Sequence, residues 1–173
     1  QRFYDMYQEL DNTYQQTKLL AENDQLTQIA NRHQFQTFVQ QSLPKPSSNT
    51  ETWVLYFDLD NFKFVNDKYG HQIGDSILVS FAKRISDICA HYQTKYDAHC
   101  MPARLSADEF VVYINAPTQR GNIAHKFSDD LLTPLQKGFT TESGSFPITA
   151  SIGIATYPND GHSIEKLISH ADT

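Results

Sequence analysis

The sequence has little that would tie it to a membrane, a nucleic acid or an oxidising compartment. No apolar run in its 173 residues approaches the roughly 20 that a membrane-spanning helix needs, and no secretory leader is legible. Cysteine is scarce. Cys89 and Cys100 are the only two and have no metal-type spacing, so reduced thiols of a cytoplasmic domain are expected. Positive charge is in deficit, 14 Lys and Arg against 20 Asp and Glu, for a net charge of -6. That excludes a broad electrostatic footprint for nucleic acid, so no nucleic-acid partner is expected. An anionic nucleotide would need a metal ion and a few local cations. No repeat or low-complexity tract is present. The length suits one domain with a real core plus an appendage. Because the first residue is Gln1, the expectation is a piece of a longer protein whose remainder could hold a membrane anchor or a sensor.

The most informative stretch begins with Trp53-Val54-Leu55-Tyr56-Phe57, an uncharged apolar and aromatic run that predicts a buried strand over 52–58. It stops at Asp58-Leu59-Asp60. Alternate strand residues share a face, so Asp58 and Asp60 can point the same way. Carboxylates at the end of a buried strand are costly without a positive partner, and a divalent metal is the usual one. A second acidic pair, Asp108-Glu109, opens the apolar run Phe110-Val111-Val112-Tyr113-Ile114. Two strands with acids at neighbouring ends can build a metal site for phosphate chemistry.

In chain order, residues 1–23 predict one helix with a heptad seam of Phe3, Tyr7, Leu10, Tyr14, Thr17 and Ala21. It is either a helix packed on its own domain or a parallel dimeric stalk relaying a signal from an upstream module. Residues 24–173 form the domain proper, with the last helix cut short. Asp24, Thr27 and Asn31 suit turn and cap roles. A helix from Arg32 to Gln41 would face Phe35 and Phe38 inward, and Pro44 to Asn49 is a loop. A short helix is expected from Asn61 to Lys68, broken by Gly70 to Asp75. A longer one from Asp75 to Tyr92 carries the stripe Ile77, Leu78, Phe81, Ile85 and Ile88. Residues 98–105 and 109–115 predict a hairpin turning near Ser106-Ala107, followed by a loop over Asn115 to Thr118. A helix from Gln119 to Leu132, ended or kinked by Pro134, precedes a strand over 146–156. A turn at Tyr157 to Gly161 leads into a final helix from Ser163. The fold class is α+β, a ferredoxin-like palm of the nucleotidyl-cyclase kind. It has a mainly antiparallel central sheet flanked by helices, plus the N-terminal helical stalk.

Five motifs, in order, resemble the GGDEF family of bacterial diguanylate cyclases. Asp24, Leu26, Thr27, Asn31 and Arg32 match D-x-L-T-x-x-x-N-R, and Asp58 to Lys63 match D-x-D-x-F-K. Asn66-Asp67 with Gly70 to Asp75 match N-D-x-x-G-H-x-x-G-D. Ser151 to Ala155 resemble S-I-G-I-A, and Ala171-Asp172 the A-D of the last helix. The signature departs from pattern. Where the family has R-x-G-G-D-E-F, this chain reads Arg104-Leu105-Ser106-Ala107-Asp108-Glu109-Phe110. If the turn keeps a positive φ, Ser or Ala there costs on the order of 1–2 kcal/mol, and the added Cβ intrudes on the nucleotide.

The resemblance implies GTP as ligand and Mg²⁺ (or Mn²⁺) as cofactor. Asp58, the Leu59 carbonyl and Asp108 would hold the metal. Glu109, with Asp108, would serve catalysis by assisting the 3′-OH or a metal. Asn66 and Asp75 would read guanine, and Lys63 with the amides of Asn61 and Phe62 would meet phosphates. Ser106 and Ala107 would lie beside the nucleotide. Two facing domains would condense two GTP to cyclic di-GMP and pyrophosphate, so a homodimer is implied. An upstream sensor and a downstream EAL domain are implied for the full-length protein. The family's product-inhibition motif R-x-x-D falls on Asp97 and Cys100, so feedback through it is not expected. Three functions follow: a degenerate module that binds GTP-Mg²⁺ for regulation, an active cyclase, or a dimerisation domain without nucleotide. The bland alternatives are specific too. A calcium loop from Asp58 to Tyr69 fails at Phe62 and Tyr69. Asp60 is expected as a structural acceptor, His71 as a loop brace, Arg104 as a carboxylate partner, and His91 and His99 as non-ligands.

Overall fold

The computed structural model describes residues 1–43, 49–161 and 166. Helix α1 (Arg2–Glu22) and α2 (Arg32–Ser42) precede strand β1 (Thr50–Asp60). Helices α3 (Phe62–Tyr69) and α4 (His71–Tyr96) follow, then the hairpin β2 (His99–Ser106) and β3 (Glu109–Pro117). After α5 (Ile123–Leu132) come a small hairpin, β4 (Phe139–Thr141) with β5 (Gly144–Phe146), and β6 (Thr149–Tyr157). The four long strands form one antiparallel sheet in the order β2-β3-β1-β6. With helical crossovers after β1 and β3, this is the ferredoxin-like arrangement.

The period-two pattern of β1 divides the core. Trp53, Leu55, Phe57 and Leu59 face α4 and α5, where they pack with Ile77, Phe81, Ile85 and Phe127. Val54 and Tyr56 face α2, against Phe35, Val39, Val111 and Tyr113. Edge-to-face contacts such as Phe81–Phe110, with centroids 4.9 Å apart, fix the larger layer. β1 is central and flanked on both sides, so its end is where two neighbouring strands can add side chains to Asp58.

Several expected boundaries shift, each for a local reason. Helix α4 starts at His71 rather than Asp75 and runs on to Tyr96, because Gly70 alone, at φ +94°, makes the break. The residues Asn115 to Pro117, expected as a loop, extend β3. Asn115 Nδ2 donates to Thr50 Oγ1 (3.0 Å) and Thr52 Oγ1 (2.8 Å), which holds it in the ladder. Helix α5 begins at Ile123 rather than Gln119, because Asn122 Oδ1 caps it by accepting from His125 N at 3.1 Å. The strand expected from 146 begins at Thr149, and the β4–β5 hairpin stands where nothing was expected. The loop over 44–48, the helix from Ser163 and the Ala171-Asp172 motif lie outside the described residues.

Helix α1 buries none of its residues. Phe3, Tyr7, Leu10 and Tyr14 of the seam are each more than 60% exposed, so the helix does not pack on its own domain.

Candidate functional site

The adjoining ends of β1 and β3 hold the acids. Asp58 sits directly across the ladder from Glu109 and is exposed, while Leu59 behind it is buried. The Leu59 amide donates to the Asp108 carbonyl at 3.2 Å, which ties the signature turn to β1. Desolvation, then the charge and hydrogen bond of Asp108, then Glu109 and Asp60, push the Asp58 carboxyl up to about 6. Asp58 and Asp108 thus form a like-charged oxygen pair that a cation would relieve. An all-oxygen donor set with the Leu59 carbonyl suits a hard divalent ion. Among the described residues, no three His, Cys, Asp or Glu side chains are gathered as a ready-made metal cluster. What converges is this pair.

Glu109 is turned elsewhere. The Tyr56 hydroxyl donates to its carboxylate, and Ser106 pairs with Glu109 across the hairpin. Tyr56 first, then Ser106 and Arg32, hold its carboxyl below the usual range. The serine side chain beside it is one that glycine lacks. Asp60 accepts from Thr149 Oγ1 (3.1 Å) and Ser151 Oγ (2.8 Å), as a structural acceptor does.

The signature turn is built without left-handed backbone at Ser106 or Ala107. Outside glycine, positive φ among the described residues occurs at Gln28, Asn61 and Asp97 only. The expected strain for replacing glycine is therefore absent. Ser106 pairs with Glu109 across an Ala107-Asp108 turn, and a register irregularity between Arg104 and Ser106 absorbs the mismatch that a primed turn would otherwise have removed. Arg104 stitches the turn: its Nε donates to the Ser106 and Ala107 carbonyls (3.2 and 3.1 Å) and its Nη2 to Ala107 (2.9 Å). Its Nη1 reaches both oxygens of Asp24 at 3.1 Å. Asp24 is held ionised by this pair and by Thr27, against the cost of its burial. Asn31 Nδ2 donates to the Ala21 carbonyl (2.7 Å), and its Oδ1 caps α2 by accepting from Gln34 N (2.9 Å). The motif from Asp24 to Asn31 thus joins the end of α1 to both α2 and the signature turn. A cleft of about 530 Å³ lies along this junction, lined by Arg32, His33 and Gln36 and by Arg104 to Ala107. Of the predicted site residues it takes only Ser106 and Ala107.

On the other side of Asp58, Asn61 is left-handed (φ +66°) and fixes its side chain by donating to the Pro147 carbonyl at 3.2 Å. No side chain caps α3, so its first amides, at the positive end of the helix, stay open beside exposed Lys63. Asn66 and Asp75 lie on the two helices of the α3–α4 corner. Asn66 Nδ2 meets His71 Nδ1 at 3.0 Å, the bracing role expected of His71. Gly74 lies under Asn66: a Cβ there would stand 2.1 Å from Asn66 Oδ1. Asp75 is exposed on the first turns of α4. The structure therefore brings Asp58 with Asp108 and places Asn61 to Lys63 next to them. It sets Asn66 and Asp75 at the neighbouring corner and directs Glu109 toward Tyr56.

Four participants were given no such role from the sequence. Tyr56 was legible as the residue sharing the face of Asp58 and Asp60. Arg32, whose charge reaches Glu109, and Ser151, which holds Asp60, stood in motifs without these partners, and Thr149 left no local signal.

The family profile described as "Diguanylate cyclase, GGDEF domain" matches residues 21–173. The chain is 51% identical over 172 residues to the biofilm architecture maintenance protein MbaA of Vibrio cholerae, covering 99% of this chain and 22% of that protein. It is 36% identical to the bifunctional diguanylate cyclase/cyclic di-GMP phosphodiesterase MucR of Pseudomonas aeruginosa, over 88% of this chain and 21% of MucR. It thus spans about a fifth of the length of these relatives. The fold matches the coiled coil and GGDEF domain of DgcB from Caulobacter crescentus, with a TM-score of 0.78, 23% identity, and coverage of 99% of this chain and 88% of that one. On this profile match and these relatives, the chain belongs to the GGDEF family of cyclic di-GMP signalling domains.

Proposed function

We propose that this domain binds GTP with Mg²⁺ and acts as a degenerate, regulatory GGDEF domain rather than as a cyclase. The observation that carries the reading is Glu109 bound by the Tyr56 hydroxyl, with Ser106, where the family signature has glycine, paired across the hairpin from it. The metal pair, the open α3 terminus and the Asn66–Asp75 corner support a site for a guanine nucleotide. The acid that would assist the 3′-OH is instead turned to Tyr56. Asp58, Asp108 and the Leu59 carbonyl would hold the Mg²⁺, which offsets the charge of a triphosphate. Lys63 and the α3 amides would meet phosphate oxygens. Asp75 accepts from the N1–H and N2–H donors of guanine, a pair adenine lacks, and Asn66 bonds the remaining edge.

A specific observation favours the second reading, an active cyclase. The Ser106-Ala107 turn is unstrained, so the altered signature does not by itself distort the hairpin. Exposed Phe3, Tyr7, Leu10 and Tyr14 support a parallel dimer through α1, which either reading would use to bring two sites together. An upstream sensor and a downstream EAL domain in the longer protein would be the input and the controlled output.

The test is a mass-spectrometric assay for cyclic di-GMP with GTP and Mg²⁺, on protein extending through the last helix, with GTP binding titrated in the same samples. Binding without product is expected, and Ser106→Gly together with Ala107→Gly is expected to raise turnover. Product from the unaltered protein overturns the regulatory reading in favour of the cyclase. Absence of guanine-selective binding leaves dimerisation as the domain's role.

A further inference from the structure

Cys89 and Cys100 are separate in the sequence but adjacent in the fold. Cys89 lies on the sheet-facing side of α4, 3% exposed, in the layer that also holds Ile85 and Tyr92. Cys100 is on β2, opposite Ile114 in the ladder, so its side chain enters the same layer. One helical turn beyond Cys89, Gln93 Nε2 donates to the Cys100 carbonyl at 3.2 Å, which fixes this turn of α4 over this residue of β2. The two thiols are close enough to perturb one another's ionisation. Both are free, Cys89 buried and Cys100 partly exposed.

We propose that Cys89 and Cys100 are an oxidisable pair that closes to an intramolecular disulfide when the domain meets a peroxide, clamping α4 to β2. The asymmetry in exposure sets the order of events. Cys100, reachable from solvent, attacks the peroxide oxygen as thiolate. Its sulfur becomes a sulfenic acid, and with hydrogen peroxide the leaving oxygen departs as water. The Cys89 sulfur then attacks the Cys100 sulfur, an S–S bond forms, the sulfenic oxygen leaves as a second water, and the two thiol protons are taken up in the waters. The two sulfurs together lose two electrons and the peroxide gains them. The neighbouring Cys100 thiol and burial push the Cys89 pKa upward, which protects it from direct oxidation. The clamp joins the helix that begins beside Asn66 to the strand that ends in the signature turn.

The whole chain, reduced and freed of thiol reagent, is treated with excess hydrogen peroxide, then with N-ethylmaleimide, and weighed intact. The expected product is lighter than the reduced protein by two hydrogens, takes no maleimide and remains a single chain. Trypsin cuts after Arg84, Lys95 and Arg104, so the digest should contain peptide 85–95 linked to peptide 96–104, separated by dithiothreitol. Maleimide on both cysteines after peroxide overturns the proposal. So does a sulfinic or sulfonic Cys100 beside a free Cys89, or a linkage between two chains. In Cys89→Ala the closure is lost and Cys100 is trapped as a sulfenic acid by dimedone. If that core variant fails to fold, Cys100→Ser serves instead: its Cys89 should resist peroxide, and oxidation of Cys89 in that variant overturns the order of attack.

Discussion

Replacing Gly74 with alanine tests the corner that is proposed to read guanine. On an exposed helix this change would gain about 1 kcal/mol of helix propensity. Here the new Cβ would stand 2.1 Å from Asn66 Oδ1 and 3.0 Å from its Cγ, while Phe62 Cζ is an ordinary 3.4 Å away. The overlap with Asn66 is therefore the whole problem, and it is relieved only if that amide leaves or α3 shifts. Leaving breaks the 3.0 Å contact with His71, worth about 1 kcal/mol. An off-rotamer Asn66 or a shifted α3 adds about 1–3 kcal/mol. Against the propensity gain, Gly74→Ala should destabilise the domain by about 1–3 kcal/mol. It should weaken Mg²⁺-dependent GTP binding roughly tenfold or more through loss of one base contact. Thermal melts and calorimetric titration with GTP and ATP measure both effects. The decisive comparison is the double variant Gly74→Ala with Asn66→Ala. Removing the clashing amide should recover most of the lost stability, giving a coupling of about 1 kcal/mol or more. Strict additivity would refute the claim that Gly74 is there to make room for Asn66.

Other outcomes follow from the same geometry. The raised Asp58 carboxyl favours the fold when protonated, so the metal-free domain loses that contribution as pH rises from about 4 through about 6. Asp58→Asn should flatten this dependence in melts between pH 4 and 8, and should remove the stabilisation that Mg²⁺ gives the unaltered domain at neutral pH. Arg104→Lys keeps the charge but cannot reach Asp24, Ser106 and Ala107 together. It should cost about 1–3 kcal/mol and speed hydrogen exchange at the hairpin, with Asp24→Asn giving part of the same loss. If α1 is the dimer stalk, Leu10→Glu should shift sedimentation toward monomer without lowering the melting temperature, since Leu10 is 68% exposed in the single chain.

The sequence by itself determined what depends on neighbours a few residues apart. An unbroken apolar run located β1, period-3.6 patterning located α2 and the buried stripe of α4, and the motif spacing placed Asp58, Asn61 to Lys63, Asn66 and Asp75 at strand and helix ends. Those patterns reflect which face of an element is buried, and that is written locally. Boundaries shifted where a distant partner decided the outcome. Asn115 reads as a turn residue until Thr50 and Thr52 lie beside it, and Phe139 to Phe146 form a hairpin only because both phenylalanines find the core. Tertiary structure alone decided the chemistry of the signature. The unstrained backbone of Ser106 and Ala107 follows from the register of the hairpin. That Arg104 binds the turn to Asp24 and that Glu109 turns to Tyr56 depend on contacts between segments 80 and 53 residues apart. Hydrogen bonds fix such arrangements only within about 3 Å, a distance that no spacing along the chain encodes.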